Sequence, residues 1–198
     1  MKVEPPKKVR IIGGNWRSRL LTVLDLPGLH PTTDRIRETL FNWLGQDLTG
    51  LRCLDLFAGT GALGFEAASR GATLVVLLEK DKKACANLTS NFALLQSSPA
   101  AGLVEILQRD SLEFLKQQAN GSTNLIFIDP PFRDSSLLDQ AVIGAGRICD
   151  DASGGGIYVE FPSSRLREEI EALLPGWHCR KSLEAGQVKA CLFRSGRG

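Results

Sequence analysis

The tetrapeptide Asp129-Pro130-Pro131-Phe132 holds the most specific chemical signal in this 198-residue chain. It follows Asn124-Leu125-Ile126-Phe127-Ile128, a short apolar run of the kind that forms a buried strand. The residue before a proline is pushed to extended backbone, and proline fixes its own φ, so two prolines in series make a stiff ledge. They donate no N–H, and their carbonyls are expected to face the site without partners of their own. Such a ledge suits an exocyclic amine of guanine, adenine or cytosine, a poor nucleophile because its lone pair is delocalised into the ring. The Asp129 carboxylate and the Pro130 carbonyl can accept its two N–H bonds. That steers the lone pair toward a methyl group and stabilises the positive charge growing on nitrogen. Asp129 can then help remove a proton, although an ordinary aspartate, with a pKa of about 3.9, is a weak base at neutral pH. Holding nitrogen and methyl about 3 Å apart in line supplies much of the rest. Phe132 offers an aromatic face on which a flipped base can stack. A rigid turn with a core phenylalanine would account for Pro-Pro alone. It does not account for that turn following a strand of a sheet whose first loop is glycine-rich.

That loop is Leu54-Asp55-Leu56-Phe57 running into Ala58-Gly59-Thr60-Gly61-Ala62-Leu63-Gly64. Glycines let backbone pass close to a ligand and turn sharply into a helix. Gly59, Gly61 and Gly64 formally match a dinucleotide-binding fingerprint, a weak signal by itself. Asp55 argues against a pyrophosphate there, and a zwitterionic amino acid with a sulfonium suits a nearby carboxylate better. Glu79, followed by Lys80, ends the next apolar run, where an acid can take two ribose hydroxyls. Asp110 and Ser111 end a third run and can accept from an adenine amine; a helix N-cap is the plainer account of that pair. As the third in a series of strand-end acids after Asp55 and Glu79, Asp110 is assigned to the ligand. The expected cofactor set is thus Asp55, Phe57, Ala58, Gly59, Gly61, Glu79, Lys80, Asp110 and Ser111.

These residues need a frame that brings strand ends together, and the periodicity supplies one. Strands are expected at 53–57, 73–78, 103–107, 124–128 and 157–161, alternating with helices at 61–69, 81–95, 111–118, 135–148 and 164–174. A closing antiparallel pair, 177–183 and 188–193, turns at Ala185-Gly186. Upstream, Thr32 or Thr33 can cap a helix through Ile36, Leu40, Phe41 and Leu44. Val9–Ile12 and Arg19–Val23 flank Gly13-Gly14-Asn15 as a β-hairpin. Such alternation predicts a doubly wound α/β sheet with helices on both faces. We divide the chain into an N-terminal basic hairpin extension, 1–30, and a Rossmann-like domain, 31–198.

Residues 1–37 hold eight basic and three acidic side chains, a net of +5, and the remaining sixteen basic and nineteen acidic residues leave −3. A basic front end on a slightly acidic body suits an anionic partner such as a nucleic-acid backbone, or is a solvated tail. Five unpaired-looking cysteines without a CxxC point away from a zinc site or disulfide framework and toward a reducing compartment. With no apolar run of about 20 residues, a cytoplasmic protein without a membrane partner is expected.

The chain resembles the RsmD family, bacterial methyltransferases of guanine N2 in 16S ribosomal RNA. The likeness runs through Arg10-Ile11-Ile12-Gly13-Gly14-Asn15-Trp16-Arg17 and the stretch Pro31 to Leu44. It continues through Leu54 to Gly64 and Asp129-Pro130-Pro131-Phe132, and ends in Tyr158-Val159-Glu160 and Ala185-Gly186-Gln187-Val188. The resemblance implies a class I methyltransferase fold with a seven-stranded sheet and S-adenosyl-L-methionine as donor. It implies 16S rRNA in the small ribosomal subunit or its assembly intermediates as acceptor, and an RNA-contacting hairpin. Asn15, Arg17, Arg19, Arg35 and Arg37 are the residues expected on RNA, and a monomer is expected. Ser18 stands where the family pattern has glycine, and His30 where it has arginine. Adenine in DNA or a protein glutamine are rival acceptors; a dehydrogenase and a non-catalytic RNA-binding module are rival classes.

Overall fold

The computed structural model describes residues 8–24, 34–96, 102–131 and 134–196. The helix caps proposed at Thr32 and Thr33, and His30, lie outside the described residues. A hairpin of β1 (Lys8–Arg10) and β2 (Leu20–Thr22) comes first, then α1 (Asp34–Leu44). After these come β3 (Arg52–Asp55), α2 (Ala62–Ser69), β4 (Leu74–Glu79), α3 (Lys82–Leu95), β5 (Leu103–Gln108), α4 (Ser111–Gln117) and β6 (Leu125–Ile128). The chain ends with α5 (Ser135–Ile148), β7 (Gly156–Pro162), α6 (Arg167–Ala172), β8 (Trp177–Ala185) and β9 (Val188–Ser195).

Seven strands form one sheet in the order β5-β4-β3-β6-β7-β9-β8. β3 pairs in parallel with both β4 and β6, and only β9 runs against β7 and β8. The order reverses between β3 and β6, and open α/β sheets take ligands beyond the strand ends at such a switch point. The period of two along each strand sends alternate residues to opposite layers. In β6, Leu125 and Phe127 join the layer of α1, α2 and α3, whereas Ile126 and Ile128 join that of α4, α5 and α6.

The hairpin is not a loose appendage. Ile11, Trp16 and Leu21 are buried in the same core as Phe65 and Leu88. Its tip docks on the end of α2: the Ile12 and Gly13 N–H groups donate to the two Glu66 carboxylate oxygens, both at 2.7 Å. Asn15 N–H donates to the Ser69 carbonyl at 2.8 Å. Gly14 has φ 72°, and a Cβ there would sit 1.9 Å from that carbonyl oxygen, so the approach requires glycine.

Ser18 is the one non-glycine residue at positive φ among the described residues, at 69°. The family pattern's glycine is what that backbone favours. Ser18→Gly should therefore raise stability by about 0.5 kcal/mol, the relief of a left-handed side chain less the entropy glycine adds to the unfolded chain. The check is a higher urea midpoint at unchanged slope; a lower midpoint would mean that the serine is held there by a compensating contact.

Candidate active site

The loop after β3 is built on two left-handed glycines, Gly59 (φ 52°) and Gly61 (φ 85°). A Cβ on Gly61 would meet the Phe65 ring at 2.3 Å, and one on Gly64 would meet Leu77 at 2.7 Å. Asp55 is only 2% exposed, and its Oδ2 accepts from the Gly64 N–H at 3.1 Å. It thus stands beneath the loop and fixes it, and does not itself line the cleft above. Burial pushes its carboxyl up to about 7, against hydrogen bonds from the Gly64 and Phe57 backbone that lower it; Glu79 and Glu160 add to the rise.

An acid whose folded pKa exceeds its unfolded value is protonated in the native state between the two, so it opposes folding as pH climbs from about 4 to about 7. Asp55→Asn removes this titration. The variant should gain roughly 2 kcal/mol on the parent between pH 5 and pH 7. Urea unfolding at both values measures it, and a difference independent of pH would show that Asp55 is ionised within the fold.

A cleft of about 910 Å³ opens beyond the ends of β3, β4 and β5. Of the expected cofactor residues, Phe57, Gly59, Glu79, Lys80, Asp110 and Ser111 line it, while Asp55, Ala58 and Gly61 do not. Glu79 Oε2 accepts from Gly59 N–H at 3.1 Å and Oε1 from Asp81 N–H at 2.8 Å, so its carboxylate is aimed by backbone on both sides. Asp110 does two things at once. Its Oδ1 caps α4 by accepting from Leu112 and Glu113 N–H, and its Oδ2 takes the Lys80 ammonium at 2.9 Å. The hydrogen bond from Lys80 is the largest cause holding the Asp110 carboxyl below the usual aspartate range. Ser111 is buried, its hydroxyl donating to the Leu56 carbonyl. Gln108, Leu112, Asp134 and Gln140 also line the cleft. Sequence reasoning misses them because none belongs to a motif: Gln108 ends β5, Leu112 and Gln140 lie within helices, and Asp134 caps α5.

Asp129 follows β6, one strand from the glycine loop, and is partly exposed. Pro130 is buried, and Pro131 is exposed and lines the cleft. The Pro131 carbonyl is not free as expected: it accepts from the Asp134 N–H at 3.4 Å. Phe132 lies outside the described residues. On the neighbouring β7, the buried Tyr158 hydroxyl donates to Glu160 Oε1 at 2.7 Å. Burial first, then the charges of Glu160 and Asp129, push the Tyr158 phenol well up. In the sequence, Glu160 is legible only as part of Tyr158-Val159-Glu160, whose i, i+2 spacing on a strand puts both side chains on one face.

Asn15, Arg17 and Arg19 on the hairpin tip and Arg35 on α1 are exposed. Arg37 corrects the expectation. Its side chain is fully buried and pairs with Asp34 at 2.5 Å and Glu66 at 3.5 Å, and it donates to the Arg10 carbonyl at 2.8 Å. A guanidinium so enclosed holds the fold together and does not reach a phosphate. Among the described residues no helix is long and apolar enough to cross a membrane.

The family described as conserved hypothetical protein 95 matches residues 9–194. The chain is similar to ribosomal RNA small subunit methyltransferase D of Escherichia coli strain K12, 40% identical over 94% of this chain and 90% of that protein. It is similar to the protein of the same name from Haemophilus influenzae, 46% identical over 71% and 74%. Among solved structures, a putative methyltransferase, yhhF, from Escherichia coli aligns with a TM-score of 0.77 at 39% identity, covering 96% of this chain and 98% of that one.

Proposed function

The chain belongs to the ribosomal RNA small subunit methyltransferase D family, and we propose that it transfers a methyl group from S-adenosylmethionine to the exocyclic N2 amine of a guanine in 16S rRNA. The observation that carries the reading is the stiff Asp129-Pro130-Pro131 ledge beside a glycine-loop cleft lined by Glu79 and Asp110.

The cleft fits the cofactor by its donor set. Glu79 keeps a lone pair on each oxygen for the two ribose hydroxyls, and Phe57, Leu78 and Leu112 supply apolar lining for the adenine in the same cleft as Asp110. The same geometry weighs against a dinucleotide. The loop amides that would cradle a pyrophosphate are already given to carboxylates, Gly59 N–H to Glu79 and Gly64 N–H to Asp55. S-adenosylmethionine, when bound, supplies the electrophilic methyl carbon. The chain's own part is to orient and to exclude water. Asp129 and the Pro130 carbonyl hold the amine's two N–H bonds and turn its lone pair toward the cleft. Asp129 then takes up the proton that the amine sheds.

Asn15, Arg17, Arg19 and Arg35 are proposed as the RNA-facing set, with the hairpin a functional unit that is fused to the domain in packing. We place the protein in the cytoplasm, acting as a monomer on the small subunit or an assembly intermediate. The test is transfer of labelled methyl to unmodified small subunits, naked 16S RNA and duplex DNA, followed by nucleoside analysis. Label recovered as N2-methylguanosine from ribosomal material is expected. Label in DNA, or as another nucleoside, would move the acceptor.

A further inference from the structure

The hairpin and the glycine loop are tied together by one buried side chain. Asn91 on α3 is 1% exposed and spends its whole amide on them. Its Oδ1 accepts from the Thr22 N–H at 2.9 Å, and its Nδ2 donates to the Thr22 carbonyl at 3.1 Å and the Thr60 carbonyl at 3.2 Å. Thr22 ends β2 of the hairpin, and Thr60 lies between Gly59 and Gly61. A primary amide can serve both backbone groups of Thr22, as a neighbouring strand would, and still have one N–H left for the loop. Leucine has the shape but neither function, and aspartate has no donor.

Two further contacts run the same way. Val9 and Val23 of the hairpin form a small buried cluster with Ala62, the first residue after the loop. Trp16 meets Phe65 edge-on at 6.3 Å, and Phe65 is the ring that would strike any Cβ on Gly61. The hairpin therefore forms the back wall of the loop, while its tip presents Arg17 and Arg19 to solvent.

We propose that Asn91 is a positioning residue that couples the hairpin to the glycine loop, so that nucleic acid on the one and cofactor on the other bind with positive cooperativity. The inference rests on the function proposed above. Whichever ligand arrives first orders the shared wall, and the second meets an element already fixed; the coupling is reciprocal.

The probes are S-adenosylhomocysteine and small ribosomal subunits lacking modification. Filter binding of subunits is measured with and without saturating S-adenosylhomocysteine, and hydrogen exchange is measured on the free chain. In the parent, S-adenosylhomocysteine should tighten subunit binding about 5–10-fold. In Asn91→Leu the tightening should fall below about twofold, and exchange should rise together at Thr22 and at residues 59–62. Val23→Ala, a milder change at a separate link, should leave an intermediate tightening and serves if Asn91→Leu folds poorly. Full tightening retained in both variants, no tightening in the parent, or exchange raised in the hairpin alone would overturn the coupling. A parent that binds neither probe would instead overturn the function, and the exchange data would still decide whether the two elements move together.

Discussion

Asp129→Ala should lower methyl transfer by about 10³-fold while the affinity for S-adenosylmethionine changes by less than about threefold. The asymmetry follows from where the residue sits. The cleft is lined by groups from the ends of β3, β4 and β5, by Pro131 and by the start of α5, and Asp129 is not among them. In the proposed function, removing the carboxylate leaves the lining of the cofactor cleft in place and strips the amine of the acceptor proposed to orient it and to neutralise its growing charge. A 10³-fold loss corresponds to about 4 kcal/mol of transition-state stabilisation, within the range for a charged acceptor plus its proton-accepting role. Asp129→Asn divides the two contributions. It keeps the shape and one acceptor but loses the charge, so a loss of about 10²-fold is expected, carried by kcat with KM for RNA nearly unchanged. Single-turnover transfer and calorimetric titration of cofactor measure the pair. Full turnover in Asp129→Ala would remove the ledge from the chemistry.

Sequence alone discloses those parts of this arrangement whose signal is local. The limits expected for α5 match those observed because its cap, Asp134, and its apolar period lie within the segment itself. α6 begins at Arg167, three residues later than the period suggests. Ser163 N–H is drawn to the Gln187 carbonyl in the turn before β9, and Arg165 N–H closes a turn on Pro162. The strand-end acids are legible as a series, yet their division of labour is not. Asp55 reads like Glu79 in sequence, and only the path of the loop above it shows that it faces Gly64 from below. A positive charge in a basic segment reads as surface, which is why Arg37 is expected on RNA. Its position on the stripe of Ile36, Leu40 and Phe41 is the available clue, but its partner Glu66 is 29 residues away.

Glu66→Ala should cost about 3–5 kcal/mol of stability, the largest effect expected of any single side chain away from the chemistry. Glu66 sits in α2, whose eight residues are all buried, and is itself fully enclosed. Its Oε1 accepts from Gly13 N–H at 2.7 Å and from Arg70 Nε and Nη2 at 2.9 and 2.7 Å. Its Oε2 accepts from Ile12 N–H at 2.7 Å and faces Arg37 Nη1 at 3.5 Å. One carboxylate therefore answers two buried guanidinium groups and two backbone donors; its removal leaves the Ile12 and Gly13 N–H groups and Arg70 Nε and Nη2 without this acceptor, and leaves Arg37 with Asp34 and the Arg10 carbonyl. Against a total stability of about 5–15 kcal/mol for a domain, the loss is a large fraction. Glu66→Gln turns one of the acceptors into a donor aimed at donors, so it should recover less than half of the deficit. Replacing Arg37 and Arg70 with methionine in the Glu66→Ala background should recover more, because the buried charges that lost the Glu66 carboxylate are then gone. Urea unfolding of these variants tests the order. A single loss below about 1 kcal/mol, the scale of an exposed pair, would mean that water reaches the cluster. The consequence for function is specific: with Glu66 gone, the hairpin tip loses its two hydrogen bonds to that carboxylate and keeps those to Ser69, while the cleft, which Glu66 does not line, keeps its lining. Binding of small subunits should then weaken well before that of cofactor does.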